Sequence, residues 1–150
     1  MSHFDPATFA TMTFTEANST ESVPLPAGEW PFTIEKQDIT AWQKRDDPTV
    51  GGLRCSLTLK NESPELEAVT GRKRNRVRHE VLLDLTPEGG LDFGRGMNVA
   101  LGRVRAACGL NRPGVPFTFD QLIGHDVRAT VKHEIYQDKG QAKATNLTPI

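Results

Sequence analysis

Alternation of apolar and polar positions dominates the chain. Trp30, Phe32 and Ile34 are separated by Pro31, Thr33 and Glu35, which predicts a half-buried strand that follows a turn at residues 26–28 and runs to Ile39 or Ala41. Pro31 marks an edge or a bulge in it. Leu53, Cys55, Leu57 and Leu59 alternate with Arg54, Ser56, Thr58 and Lys60, so a second strand carries a basic and hydroxylic outer face. In a third strand Val77, His79, Val81, Leu83 and Leu85 lie opposite Arg76, Arg78 and Glu80, and residues 86–90 end it. The period then changes. Met97, Leu101, Val104 and Cys108 fall at i, i+4, i+7 and i+11, the stripe of an amphipathic helix, with Gly109 as its stop. Thr118 or Asp120 caps a short turn through Leu122 and Ile123. A fourth strand from about Asp126 sets Val127, Ala129, Val131, His133 and Ile135 against Arg128, Thr130, Lys132, Glu134 and Tyr136. A hairpin at residues 137–140 leads to a fifth around Ala142, Ala144 and Asn146.

Two intervening stretches show no periodicity. Residues 42–52, rich in Asp, Pro and Gly, read as a long loop carrying Trp42, and residues 61–69 read as an acidic connector. Residues 1–27 separate from the rest as an N-terminal arm. Asp5 and Pro6 cap one or two helical turns to about Met12 that present Phe4 and Phe9 to the domain, and residues 13–27 form an extended connector. The fold class expected for residues 28–150 is therefore all-β with one main helix. Three strands, a helix and two strands is the element order of the OB-fold, a five-stranded barrel with its helix between strands three and four.

Composition adds one contrast. Residues 72–78 read Arg-Lys-Arg-Asn-Arg-Val-Arg, five cations in a 150-residue chain of formal net charge -1; without them thirteen basic residues face nineteen acidic ones. A cluster set in an otherwise acidic chain suits a polyanion, because Lys and Arg bind nucleic acid by displacing condensed counterions. With the apolar phases inside a barrel, Arg54, Lys60, Arg76, Arg78, Arg128 and Lys132 share the outside. Aromatic residues that could stack on unpaired bases stand nearby: Trp42 with Lys44 and Arg45 in the first loop, and Tyr136 with Lys139 in the last. Arg72, Lys73 and Arg74 complete the candidate contacts.

The segments Pro-Ala-Gly-Glu-Trp-Pro-Phe-Thr-Ile (26–34), Asn-Val-Ala-Leu-Gly-Arg-Val-Arg-Ala-Ala-Cys-Gly-Leu (98–110) and Phe-Thr-Phe-Asp-Gln-Leu-Ile-Gly (117–124) resemble phage-encoded single-stranded-DNA-binding proteins of replication and recombination modules. The resemblance implies an OB-fold protein that coats single-stranded DNA in the cytoplasm of an infected bacterial host. It also implies replication or recombination enzymes as partners. Many proteins of that class recruit enzymes through an acidic tail, whereas no acid follows Asp138 here, so that route is not expected. Pairing of two copies through an exposed edge strand is compatible with the fold.

Other chemistry finds little support. His3, His79, His125 and His133 lack metal-ligand spacing, and Cys55 and Cys108 form no Cys-x-x-Cys pair, so no metal or cofactor is expected. His79 and His133 occupy inward phases. Gly94-Arg95-Gly96 fails the dinucleotide fingerprint at Val99 and lacks a P-loop lysine, although the helix start with Arg95 could take a phosphate. No nucleophile motif occurs, so an enzyme is not expected. No apolar run is long enough to span a membrane, and the first residues lack a secretory pattern, which makes a cytoplasmic protein the expectation. The alternative function is a protein-interaction module, a phage inhibitor or adaptor, using the same basic face.

Overall fold

The computed structural model describes residues 5–20, 23–136 and 139–150, with side chains left undescribed at 134–136 and 139–141. Five strands form one antiparallel sheet: β1 (Gly28–Gln43), β2 (Gly51–Asn61), β3 (Asn75–Leu83), β4 (Asp126–Tyr136) and β5 (Lys139–Pro149). Their order is β3-β2-β1-β4-β5. All four ladders are antiparallel, and no ladder joins the edge strands β3 and β5 among the described residues, so the sheet is open where a barrel would close. The two edges still come close without pairing as a ladder. His79 Nδ1 on β3 donates to the Ala144 carbonyl of β5 at 2.9 Å. The main helix, α3 (Val99–Ala107), follows β3 in sequence and packs against both edge strands.

The expected inward phases fill the core. Phe32 and Ile34 of β1, Cys55, Leu57 and Leu59 of β2, Val77 and Val81 of β3, and Val127, Ala129 and Val131 of β4 are buried, with Leu101 and Val104 of α3 packed on them. At roughly 1.5–3 kcal/mol for each large aliphatic side chain removed from water, this layer dominates the stabilisation of the sheet. Cys55 and Cys108 belong to it, and burial pushes both thiols up to about 11. They are therefore protonated near neutral pH.

Several elements depart from the alternation pattern. Residues 61–69 are not merely a connector, because α2 (Pro64–Thr70) forms there, with the Ser63 hydroxyl accepting from Leu66 N and Gly71 stopping it at φ 75°. Pro64 at the first position and Glu65 and Glu67 in the first turn favour that helix. Trp42 lies in β1, not in a loop: the ladder continues to Trp42 opposite Gly52 and Gln43 opposite Gly51, since two glycines offer backbone without competing side chains. The β1–β2 loop shrinks to residues 44–50, closed by Lys44 N on Val50 O at 2.8 Å.

Met97 falls outside the helix and is exposed. Asn98 starts α3 instead, its amide donating to the carbonyls of Asp84 (2.8 Å) and Asp92 (2.9 Å). In β5 the left-handed Asn146 (φ 54°) sits at a register shift, so Leu147 takes the inward place expected of Asn146. His133 is exposed rather than inward, with Nε2 against the Leu25 carbonyl.

The arm begins as expected with α1 (Pro6–Ala10), whose cap Asp5 accepts from Ala7 N at 3.1 Å and from the Thr8 hydroxyl at 2.7 Å. It does not pack on the domain through Phe9, which stays exposed and meets Phe14 at a ring distance of 5.5 Å. Phe4 lies outside the described residues. The connector is strapped where it reaches the sheet. Arg72 Nη2 donates to Val23 O at 2.8 Å, His133 contacts Leu25 O, Trp30 Nε1 donates to Pro26 O at 3.0 Å, and Leu25 is buried.

Candidate nucleic-acid interface

The ladder registers decide which outward side chains are neighbours. Across β3, β2 and β1 one outer row reads Arg78, Thr58, Lys36, and the next reads Arg76, Lys60, Thr33. The bulge between Ile34 and Lys36 turns Glu35 to the same side as Lys36, placing an acid among these cations. With Lys73 and Arg74 in the adjoining turn, the patch holds six cations in a band about 10 Å wide across three strands, at about 4.8 Å per strand, and about 14 Å long from Arg74 to Arg78. Lys36 was not anticipated from the sequence, because plain alternation gives Glu35 and Lys36 opposite faces.

The turn that presents this patch is held by polar groups underneath it. Asn75, fully buried, accepts from the Thr70 hydroxyl at 2.8 Å and donates from Nδ2 to Arg72 O at 3.0 Å. The Thr70 oxygen also lies 3.0 Å from Leu66 O, so its one proton is shared between two acceptors, and it accepts from Arg72 N at 3.2 Å; α2 and the start of β3 thus share one network. Arg72 therefore spends its guanidinium on the connector rather than on the outer face.

Acids temper the patch. Glu35 takes Arg76 in a fork, 2.7 Å to Nε and 3.1 Å to Nη2, and Glu62 takes Arg74 at 3.1 Å and Lys60 at 3.5 Å. The Arg76 hydrogen bonds hold the Glu35 carboxyl below its ordinary value, with Lys60 and Arg74 adding to the effect. Lys36 lies 3.5 Å from Asp38. Lys73 and Arg78 form no ion pair among the described residues and are exposed. Six cations against Glu35, Glu62 and Asp38 leave the patch net positive.

An acidic row bounds it. Glu80, Ser56 and Asp38 are cross-strand neighbours in the row beyond Arg78, and Glu80 pairs with Arg54 at 3.7 Å. Beyond that row stand Arg54 and Trp42, on the same outer face but about 20 and 27 Å from Lys60 along β2. Trp42 is half-buried over Gly52, where its indole would lie 3.3 Å from an added Cβ, and its N–H has no partner among the described residues. Lys44 and Arg45, both exposed, flank this second cluster.

The remaining candidates stand apart. Arg128 is opposite Pro31 and Lys132 opposite Lys143, and the Lys60 row itself ends on an acid, Asp126, opposite Thr33. The six cations expected to converge thus divide: Lys60, Arg76 and Arg78 are together, Arg54 lies behind an acidic row, and Arg128 and Lys132 are on a separate strand. Tyr136 and Lys139 face each other across the last turn by register, while their side chains lie outside the described residues. The start of α3 is a poor phosphate site, since the Asp84 carboxylate already accepts from Asn98 N at 2.7 Å.

No group of His, Cys, Asp and Glu that could hold a metal ion occurs among the described residues, and no helix there is long and apolar enough to cross a membrane. Neither a protein-family model nor a curated protein matches the chain.

Proposed function

We propose that this protein binds single-stranded DNA without sequence preference and without catalysis, in support of phage DNA replication or recombination in the host cytoplasm. One observation carries the reading: the patch of Lys36, Lys60, Lys73, Arg74, Arg76 and Arg78 on neighbouring outward positions of β1, β2, β3 and the turn before β3. Its ion pairs are exposed, and such pairs add little to stability, so a phosphate can replace a carboxylate as the partner of Arg76 or Arg74 at small cost. Trp42 provides a flat surface for an unpaired base beyond the acidic row, and single strands present such bases. The sheet is read as an OB-fold barrel left open at its β3–β5 seam, supported by the strand order and by α3 lying across that seam.

The test is anisotropy of a labelled oligothymidine at two salt concentrations, beside a duplex and an RNA of matched length. Salt-sensitive binding to the single strand is expected, and R76E/R78E should abolish it. Retained binding by that variant would refute the placement of the site. No binding by the native chain at low salt would refute the function and leave the protein-interaction reading.

A further inference from the structure

A second surface is left unexplained by the basic patch. Beside α3, two adjoining hollows of about 440 and 510 Å³ share Leu91, Phe93, Leu101, Arg105 and Asn111 in their walls. Both fall within the size range of pockets that receive compact apolar groups. Phe93 is 80% exposed at the rim, and Met97 and Val99 beside it are exposed as well. Arg103 and Arg112 stand exposed around the hollows, and Arg105 lies 4.2 Å over the Phe117 ring. Residues 89–119 carry four arginines against one acid, Asp92. An apolar groove rimmed by cations suits an acidic chain bearing aromatic residues.

The protein contains such a chain. The arm, residues 1–27, includes three acids, Asp5, Glu16 and Glu21, and no Lys or Arg. Every described residue from 5 to 20 is exposed, including Phe9 and Phe14, each 62%, and Met12. The Phe9 and Phe14 rings rest on one another, 5.5 Å between centroids. We infer that the arm of one copy docks its Phe9, Met12 and Phe14 into the α3 groove of a second copy, so that the chain self-associates by arm exchange.

The connector argues for a second copy over the arm's own groove. It is strapped at Val23 by Arg72, just before β3, whereas the groove begins after the far end of β3, where Asn98 binds Asp84. Nine residues of β3 separate these points by about 30 Å. The nine steps from Phe14 to Val23 span at most about 30 Å when fully straight, so docking within one chain would need a taut segment. A neighbouring molecule imposes no such demand.

The experiment contains no nucleic acid, so its outcome is independent of the DNA reading. Sedimentation and light scattering follow the mass of the full chain from low to high micromolar concentration, alone and with added salt. F9A/F14A removes the arm's anchors, and R103E/R112E reverses exposed charges at the groove; circular dichroism and melting establish that each variant folds. The native chain is expected to exceed its 16.5 kDa monomer mass as concentration rises, with association weakening in salt. Each variant alone should remain monomeric, whereas their mixture should form a one-to-one pair, because one supplies an intact groove and the other an intact arm. A monomeric native chain, self-association by either folded variant, or a mixture that stays monomeric would overturn the inference.

Discussion

Glu35 and Glu62 are the groups that hold the cations of the outer face in check, and replacing both by Gln is the most informative perturbation. Glu35 occupies both nitrogens of the Arg76 fork, and Glu62 occupies Arg74 and Lys60. The E35Q/E62Q variant keeps side-chain length and releases three cations toward solvent. For a single strand the logarithm of affinity falls with the logarithm of salt at about 0.7 per phosphate contact, so one added contact multiplies affinity about fourfold near 0.15 M salt. If two of the three released cations find phosphates, binding to oligothymidine tightens about fifteenfold and the slope steepens by about 1.4. Anisotropy titrations of native and variant protein over a range of salt read both quantities. Because the pairs are exposed, the melting temperature should change little. Unchanged affinity and slope in a variant that melts normally would refute the reasoning, since the released cations would then lie off the DNA path.

Three other substitutions probe separate parts of the structure. Trp42→Ala should weaken single-strand binding about fivefold or more, from a stacking contribution of roughly 1–3 kcal/mol per base, and DNA should quench the fluorescence of Trp30→Phe but not of Trp42→Phe. Asn75→Ala breaks the network beneath the basic turn and should cost about 1–3 kcal/mol in denaturant unfolding, because the Arg72 carbonyl loses its Nδ2 donor and the Thr70 hydroxyl loses one of its two acceptors. His79 is held below its ordinary value chiefly by burial. Its folded form therefore disfavours the proton, and the stability present above the unfolded value near 6.5 is lost as pH falls below it. Melting temperature should drop from pH 7.5 to 5.5 in the native chain, and His79→Asn should flatten that drop; an unchanged slope would exclude His79 as its source.

Strand existence and inward phase were legible because burial on one face imposes a period of two over many residues: the Leu53 to Leu59 run and the Val127 to Val131 run fill the core as their alternation implies. Departures occur where period two is broken by geometry rather than by composition. The bulge at Glu35 moves Lys36 onto the basic face, and the left-handed Asn146 exchanges its inward place for Leu147. α2 was hidden by its brevity, since seven residues cannot display a helical period, although Ser63-Pro64 and Gly71 punctuate its ends. The basic run itself was plain, but its partners were not. Glu35 lies 41 residues from Arg76 in the chain, a pairing that only the β1–β2–β3 register creates.

On the proposed function, that register also limits how much DNA one molecule would hold. From Arg74 to Arg78 β3 advances about 14 Å, which matches at most about four phosphates at 3.4 Å spacing. The acidic row of Glu80 and Asp38 then separates this patch from Arg54 and Trp42, so a strand engaging both must cross repulsive ground. Four contacts give a salt slope of only about 3, a weak grip for one protomer. Tight coating of a long strand would therefore come from several protomers held side by side, and arm exchange would supply that proximity by raising the effective concentration of the second patch. On this argument native affinity should rise steeply once an oligothymidine is long enough for two protomers, and F9A/F14A, with its basic patch intact, should keep the short-oligomer affinity while losing the rise. An equal rise in that variant would mean that the copies cooperate on DNA through some other surface.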